Sequence, residues 1–510
     1  MSENKRSTWG SNATFILAAI GSAVGLGNAW RFPNLAAKHG GGAFLMVYLL
    51  AMLIIGIPLL MMEISIGRKM RAGAPGALRG LNKKFEPIGW AATSNAFVIV
   101  TYYAVVFAWV IMMAVFSFKF VNMTGNNEAA SSLWATIIKT TGTIKGFDTI
   151  SIPVLICLLA AWGSIYYCIR NGTKSVDKVI KYLIFLPVIC LGFMAIKGAT
   201  MPGALEGIKA FFIPDFSALS DPMLWVDAVG QVFYSMSVMM AIMIAYGSFL
   251  SDESNIARDG MIIAFSDLAV SLLSGIVMFT TMYGTNLEEM LAQKSGPGLA
   301  FGVYPTAIVN LSGSGVFNAI FAFVFYFCLC TLAIDSAFSL VEGISTAFSD
   351  KFGTNKKKTT ITICVIAGII SLIYATGGGL AVLDIVDNWC NSFTLILVGV
   401  IETIAIGWFY NTNKVIGEIN RNTKKIKMPK IWFNIAVKII APVSLSILFI
   451  WNIFDLFKNK GGVYGAADGY NITSNVLAGW AVFALCMLSG FIIPFFARKK
   501  ENKASNSDEE

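Results

Sequence analysis

The chain has 510 residues, of which 56% are hydrophobic and 13% charged, and its mean hydropathy is +0.70. A soluble protein of this length would carry about a quarter charged residues, so most of this chain does not face water. The eight cysteines fall in or beside apolar runs, and the single histidine, His39, has no cysteine at metal-ligand spacing. This pattern argues against a zinc or redox site and favours buried, inert thiols.

Twelve apolar runs approach the roughly 20 residues that a helix needs to cross the hydrocarbon core of a membrane. We number them spans 1 to 12 and predict an all-α, polytopic membrane protein. In chain order they cover residues 12–37, 42–69, 88–120, 150–169, 177–200, 224–250, 258–284, 315–349, 358–376, 383–410, 432–455 and 474–497.

The net charge of +9 comes from Lys and Arg residues that are unevenly distributed among the loops between these spans. With the N-terminus inside, 27 of the 38 Lys and Arg lie on the cytoplasmic side, and the loop between spans 9 and 10 holds none. Such asymmetry is the positive-inside rule. It predicts a multi-pass protein of the cell inner (plasma) membrane with both termini cytoplasmic. The basic charge is then topological, and we expect no nucleic-acid partner.

Spans 1 and 6 are unusual as simple helices. Span 1 carries Gly21, Gly25 and Gly27, and each glycine costs a helix interior about 1 kcal/mol relative to alanine. Span 6 carries Ser235 and Ser237 but has no glycine at its proposed break. Spans 1 and 6 are each the first of a set of five spans. Interrupted helices at corresponding positions in two such sets indicate inverted repeats around a central site. The alternative for span 1 is that its glycines serve close helix packing.

Several acids lie within the apolar runs, where an unpaired charge costs roughly 2.5–3.5 kcal/mol. Each therefore needs a cation, a hydrogen-bond network or a proton. Asp335 and Ser336 offer a carboxylate beside a hydroxyl, which are hard ligands that suit sodium; the alternative is a helix–helix hydrogen bond. Glu63 and Glu402 are expected to satisfy freed backbone groups instead. The full set comprises Glu63, Asp267, Asp335, Glu342, Asp384, Asp387 and Glu402.

Seven ordered motifs carry a family resemblance from residue 9 to about residue 496. They are GSAVGLGNAWRFP (21–33), GGGAFLMVY (40–48), GIPLLMMEISIGR (56–68), TYY (101–103), DAVGQVFYSMS (227–237), GPGLAFGVYP (296–305) and TLAIDSAFSLVEG (331–343). In order and spacing they resemble the neurotransmitter:sodium symporter family, in its bacterial amino-acid:sodium symporter branch.

The resemblance implies 12 transmembrane helices, arranged as two inverted five-helix repeats plus two extra helices, with helices 1 and 6 broken. The corresponding segments are a cytoplasmic tail (1–11), the first repeat (12–200), the second repeat (224–410), helices 11 and 12 (432–497) and a second cytoplasmic tail (498–510).

The resemblance also implies two sodium ions as cargo. The first would be held by the Ala23 carbonyl, Asn28, Ser235, Asp267 and the substrate carboxylate. The second would be held by the carbonyls of Gly21, Val24 and Leu332 with the side chains of Asp335 and Ser336.

For the substrate, the resemblance implies that backbone N–H groups near Gly25 and Gly27, with the Tyr103 hydroxyl, meet a carboxylate. Helix-end N–H groups suit an anion on physical grounds as well. The remaining pocket is implied to be apolar with a few hydroxyls. Its implied side chains are Ser22, Ile99, Tyr103, Val106, Tyr234, Ser237, Met240, Ser336 and Leu340.

The implied gates lie on either side of this pocket. Tyr234 would be an aromatic lid with an Arg31–Asp387 pair above it, and Arg6, Trp9 and Asp350 would form the internal gate. Phe249 stands where relatives often place an internal-gate tyrosine, which puts one internal hydrogen bond in doubt.

Two positions refine the expected substrate and ions. Gly25 stands where monoamine carriers of the family place an aspartate, so the substrate must bring its own carboxylate. The family's chloride site would comprise Tyr48, Gln231, Ser235, position 267 and Ser271. Because position 267 is Asp267, a fixed negative charge replaces chloride, and we predict chloride-independent transport.

The composition of this pocket, which is apolar with a few hydroxyls, predicts that the substrate is a neutral, apolar amino acid. Relatives in the bacterial branch commonly have glycines after the serine of span 6, whereas this chain has Val238, Met239 and Ala241. That bulk favours Ala, Val, Leu or Met over Trp, although methionine can move aside for larger ligands.

Three other functions are alternatives to symport by alternating access. A non-transporting membrane amino-acid sensor would bind without accumulation, and an ion channel would pass current without any amino acid. An enzyme is disfavoured because no nucleophile–base pair stands out. Substrate identity, sodium stoichiometry, proton counter-transport and oligomeric state are left open by the sequence.

Overall fold

The computed structural model describes residues 8–294, 296–423 and 426–507, with side chains described up to residue 496. Within these ranges the chain is helical, without a β-strand beyond two isolated bridges. Ten helices are long and apolar enough to cross a membrane. They are Gly42–Met70, Lys83–Asn122, Ile152–Ile169, Thr173–Ala199, Ile256–Gly284, Gly315–Phe352, Lys356–Tyr374, Gly379–Phe409, Lys430–Lys458 and Ile472–Phe496.

Span 1 is broken as predicted. Its halves, Asn12–Ala23 and Gly27–Lys38, meet at an angle of 52°. The first half ends because Val24 takes an extended backbone conformation (φ −78°, ψ 102°). The Val24 N–H still donates to the Ile20 carbonyl at 2.7 Å, whereas the Gly25 N–H leaves the helical pattern and donates to the Asn28 side chain.

Span 6 is broken as well, into Pro222–Ser235 and Ile242–Ser248. The connecting residues 236–241 contain three left-handed residues, Ser237 (φ 51°), Met239 (φ 63°) and Ala241 (φ 62°). This conformation costs a non-glycine residue roughly 1–2 kcal/mol. The break therefore forms without a glycine among residues 236–241. Each half of span 6 is short, so a total of twelve spans stays a prediction.

Contacts with neighbouring helices stabilise this break. The N–H of Met239 donates to Glu63 Oε1 at 2.5 Å, and the Ser237 hydroxyl donates to the Ser22 carbonyl at 2.8 Å. Glu63 thus satisfies a freed backbone group, as expected from the sequence. The second contact joins the break of span 6 to the end of the first half of span 1.

Shorter helices cover the ends of the bundle. Those of six residues or more are Ala74–Leu81, Asn127–Ile138, Ala204–Phe212, Glu288–Gln293, Tyr304–Val309 and Thr412–Ile419. In the segment after span 7, Phe301 is buried and stacks on Trp134 at 5.2 Å between ring centroids. This segment is packed against the bundle, which favours a capping loop over a plain surface loop. The eight cysteines are free, and seven of them are buried.

The strained backbone at Ala241 leads to a stability prediction. Ala241→Gly and Ala245→Gly each remove one buried methyl group, but Ala241 is left-handed whereas Ala245 lies inside a helix. Glycine relieves strain at the first position and weakens the helix at the second. We expect A241G to be more stable than A245G by about 2 kcal/mol, measured by thermal unfolding in detergent with sodium. Equal losses would contradict the assigned strain.

Candidate functional site

The two breaks line one central cavity together with spans 3 and 8. Its volume is about 40 Å³, which is room for a few water molecules at roughly 10–15 Å³ each. An amino acid therefore needs the lining side chains to move apart. The lining residues are Ser22, Ala23, Gly25, Leu26, Gly27, Asn28, Ile99, Tyr103, Tyr234, Ser235, Ser237, Met240, Ile242, Ser336, Ser339 and Leu340.

This set contains every predicted substrate residue except one. Val106 is buried but is not among the lining residues, so its contact with a substrate stays a prediction. Sequence reasoning missed Leu26, Ile242 and Ser339. The Ser22 hydroxyl donates to the Ser339 hydroxyl at 3.0 Å. Ser339 stands three residues after Ser336 in the same motif, and this helical spacing was the signal for it.

At the break of span 1, an acid of span 8 approaches the backbone closely. A Cβ added at Gly21 would lie 2.7 Å from Asp335 Oδ2. Asp335 is buried, and its Oδ1 has no hydrogen-bond partner. The Ser336 hydroxyl lies 3.5 Å from the Leu332 carbonyl oxygen. Val24, whose carbonyl the family resemblance assigns to the second sodium ion, begins the non-helical stretch. A buried, unpartnered carboxylate oxygen suits a hard cation.

A second acid sits beside Asn28 in span 1. The Asn28 amide nitrogen donates to Asp267 Oδ1 at 2.7 Å and to the Ser235 and Ser271 hydroxyls at 3.1 and 2.8 Å. Ser235 also donates to Asp267 Oδ2 at 2.6 Å. Asn28 of span 1 and Ser235 of span 6 thus converge on one buried carboxylate of span 7, and Ser271 of span 7 lies beside Asn28.

Three of the residues assigned to the family's chloride site contact the same carboxylate or Asn28 beside it. The Tyr48 hydroxyl donates to Asp267 Oδ2 at 3.3 Å, and Ser271 contacts Asn28. Gln231 is fully buried, and both polar atoms of its amide lack a hydrogen-bond partner. The Asp267 carboxylate therefore accepts hydrogen bonds from donors that could otherwise face an anion.

The substrate end of the cavity offers groups suited to an anion. The Tyr103 hydroxyl faces Ser336 and the backbone of Leu26, and it is buried without a regular hydrogen bond. A Cβ at Gly25 would lie 2.7 Å from Ser336 Oγ and 3.7 Å from this hydroxyl. The second half of span 1 begins at Gly27, and the N-terminus of a helix is a favourable place for a carboxylate.

The outer side of the cavity is covered by an aromatic ring. A Cβ at Gly27 would lie 2.4 Å from the Tyr234 ring, and the Arg31 guanidinium lies 5.2 Å from the centroid of that ring. Among the described ion pairs none joins Arg31 to Asp387, which instead accepts a hydrogen bond from Asn391 at 2.8 Å. The Tyr234 ring thus lies between Gly27 and Arg31, and its role as a lid, like that of the Arg31–Asp387 pair as a gate, stays a prediction.

The inner side is closed by Trp9. Its ring N–H donates to the Tyr246 carbonyl at 3.1 Å and its backbone N–H to the Phe249 carbonyl at 3.0 Å. Asp350 accepts a hydrogen bond from the Gly73 N–H at 2.7 Å. Arg6, the third predicted member of this gate, lies outside the described residues. Trp9 therefore attaches the start of the chain to the second half of span 6.

One polar cluster at the outer end was missed from the sequence. His39 is buried, and its Nε2 lies 2.7 Å from Asp227 Oδ2. Lys38 contacts the same carboxylate at 3.1 Å. This cluster joins the ends of the two broken spans. A single histidine at a helix end carried too little information to indicate such a partner.

Comparison with known proteins agrees with this geometry. The model of the sodium:neurotransmitter symporter family matches residues 6–129 and 119–503. An uncharacterised sodium-dependent transporter of Methanocaldococcus jannaschii is 31% identical over 506 residues, covering 97% of this chain and 98% of that protein. The human sodium- and chloride-dependent GABA transporter 2 is 30% identical over 454 residues, covering 81% of this chain and 75% of that protein.

Solved structures agree on the fold. The crystal structure of MhsT in complex with L-phenylalanine superposes with a TM-score of 0.75 at 29% identity, covering 87% of this chain and 99% of that chain. The fold class expected from the sequence is thereby confirmed: a helical, multi-pass membrane transporter. On the extent of the family match and the similarity of its relatives, the chain belongs to the sodium:neurotransmitter symporter family.

Proposed function

We propose that this protein is a sodium-coupled symporter that imports a neutral, apolar amino acid by alternating access. The observation that carries the proposal is that a buried acid lies beside each of two polar clusters at the broken spans. Asp335 faces the backbone at Gly21, and Asp267 is hydrogen-bonded to Asn28. We assign these acids to two sodium ions.

Coupling follows from shared ligands. The substrate carboxylate would complete the first sodium site, so each ligand raises the affinity of the other by the same factor. For this, the Asn28 amide would turn its oxygen towards the ion, away from the Gly25 N–H from which it accepts at 2.9 Å. That N–H would then be available to the carboxylate.

The cavity lining supports a neutral substrate. Apart from Asn28, its polar side chains are hydroxyls of serine and tyrosine, and it contains no charged side chain. The relative MhsT was solved with L-phenylalanine, which adds an aromatic amino acid to Ala, Val, Leu and Met as candidates. Met240 lines the cavity, and its flexible thioether can adapt to ligands of different size.

We place the protein in the cell inner (plasma) membrane, in contact with the lipid bilayer and with both termini cytoplasmic. The segments 12–200 and 224–410 would be the inverted repeats. The broken spans 1 and 6, one in each repeat, support this division. The basic residues of the loops support the orientation.

The test has two parts. Purified protein is first screened with each of the twenty amino acids for sodium-dependent thermal stabilisation, since a ligand of the folded state raises its stability by mass action. Proteoliposomes with an inward sodium gradient are then given the stabilising amino acid in labelled form. Accumulation supports symport. Stabilisation without accumulation would favour the sensor, and no stabilisation by any amino acid would refute the substrate class.

Chloride independence gives a separate prediction. Wild-type flux should be unchanged when gluconate replaces chloride, because Asp267 supplies the negative charge. Asp267→Asn removes that charge but keeps Tyr48, Gln231 and Ser271, so its flux should require chloride. Asp455→Asn, at the outer end of span 11 where Asp455 pairs with Lys460, is the control and should stay chloride-independent. Flux in D267N that ignores chloride would refute the assignment.

A further inference from the structure

A groove with positively charged walls lies where spans 4, 5 and 9 meet at one end of the bundle. Its volume is about 610 Å³, and it lies between the loop that joins spans 4 and 5 and the first turn of span 9. In the described part of the chain no acidic residue lines it. Its five charged lining residues, which define the basic groove, are Arg170, Lys174, Lys178, Lys356 and Lys357.

Four of these five cations have no acidic partner. Lys356 forms an ion pair with the buried Glu342, so its charge is already compensated. The other four are exposed, and none of them takes part in the ion pairs of the described residues. Asp177, an acid of the same helix as two of them, accepts the Gly10 N–H at 3.1 Å instead. Because like charges in one groove repel each other, an anion between them is stabilised.

The helix of span 5 begins at the same groove. It covers Thr173–Ala199, and its N-cap, Gly172, has no side chain that could accept a hydrogen bond from the first turn. The helix of span 9 differs, because the side chain of its N-cap, Asn355, accepts from the N–H groups of Lys357 and Lys358. The positive end of a helix dipole favours a phosphate group. The start of span 5 therefore adds to the attraction that the side chains exert on an anion.

The groove continues into the apolar surface of all three spans. In each span an exposed aromatic or aliphatic residue lies three or four positions from a groove cation, towards the middle of the span. Residues at this spacing share one face of a helix. In span 4 the contact is direct, since the Arg170 guanidinium lies 4.4 Å from the centroid of the Tyr167 ring. The three pairs are Arg170 with Tyr167, Lys178 with Tyr182 and Lys357 with Ile361.

We propose that the basic groove binds the phosphate group of an anionic phospholipid from the inner leaflet of the membrane. Basic pockets between transmembrane helices on the cytoplasmic side suit such head groups. The exposed residues below the groove favour a lipid over a free phosphate, because acyl chains would lie along them. The proposal rests on the orientation proposed above and does not depend on transport. A bound lipid would join the loop between spans 4 and 5 to span 9.

The test is a titration of the purified protein in detergent with phosphatidylglycerol, without sodium or amino acid, followed by thermal unfolding. Lys174→Gln combined with Lys178→Gln should weaken binding about 30-fold, since each lysine near an anionic head group contributes about a factor of five. Lys83→Gln combined with Lys84→Gln is the matched control, because both lysines are exposed in the loop after span 2 and lie outside the groove. It should keep the wild-type affinity. Equal affinities in the two double variants would overturn the proposal.

Further arms separate the charge, the lipid and the integrity of the fold. Lys174→Arg combined with Lys178→Arg keeps both charges and should bind phosphatidylglycerol like the wild type. Phosphatidylcholine, whose head group has no net charge, should bind about fivefold more weakly or less, and inorganic phosphate at the same concentration should not stabilise the protein. Phosphatidylcholine binding as tightly as phosphatidylglycerol, or equal stabilisation by inorganic phosphate, would overturn the proposal. Failure of symport would appear separately, as absent flux with this binding pattern intact.

Discussion

Replacing Asp335 by asparagine is expected to abolish sodium-driven accumulation of the amino acid. Asp335 is the one charged side chain in the proposed second sodium site, and its Oδ1 has no hydrogen-bond partner. Removing one partner of a buried charge pair costs about 2–5 kcal/mol. At about 1.4 kcal/mol for each factor of ten, the sodium affinity should be lower by a factor of between about 30 and several thousand.

The measurement is the sodium concentration that gives half-maximal thermal stabilisation, followed by uptake into proteoliposomes. Asp384→Asn serves as control, because Asp384 accepts hydrogen bonds from Tyr464 and Tyr470 at 3.2 Å each and lies outside both proposed sodium sites. It should keep the sodium affinity of the wild type. If D335N bound sodium as tightly as the wild type, Asp335 would have a structural role only.

The second large effect is expected for Gly25→Ala. The added methyl would lie 2.7 Å from Ser336 Oγ and 3.7 Å from the Tyr103 hydroxyl, in the space proposed for the substrate carboxylate. Hydrogen bonds to a charged group contribute about 1.5–3 kcal/mol each. Losing one should weaken amino-acid binding about 10- to 150-fold.

Isothermal titration with the amino acid at saturating sodium measures this loss. Gly302→Ala is the control, since a Cβ there meets no other atom within 4 Å, and its affinity should be that of the wild type. The methyl group also presses on Ser336. A separate titration with sodium, without amino acid, therefore shows whether the second sodium site is affected. Wild-type amino-acid affinity in G25A would place the carboxylate elsewhere.

Local sequence was enough for the straight spans. Each consists of about 20 or more apolar residues, and this length alone requires a helix in a membrane. The break in span 1 was equally local, because three glycines lie within seven residues. The break in span 6 was less certain from sequence, since Ser237, Met239 and Ala241 take left-handed conformations that no local preference favours. Contacts with other spans hold them there.

The candidate site shows the same division. Residues on motif-bearing helices were placed in the cavity with the exception of Val106, because helical periodicity determines which side chains share a face. The structure does not show an ion pair between Arg31 and Asp387: Arg31 lies against the Tyr234 ring, and Asp387 accepts a hydrogen bond from Asn391. Which of several nearby groups a long arginine side chain meets depends on the conformation of the gate.

The sequence by itself determined that this is a membrane protein with buried acids and a broken first helix, because composition and spacing are local properties. It also determined the family through the order of its motifs. Only the tertiary structure decided the partners: Glu63 with the Met239 backbone, 176 residues away, and Lys356 with the Phe249 ring. Such contacts join side chains that are close only after the spans have packed, and neither hydropathy nor periodicity carries information about that packing.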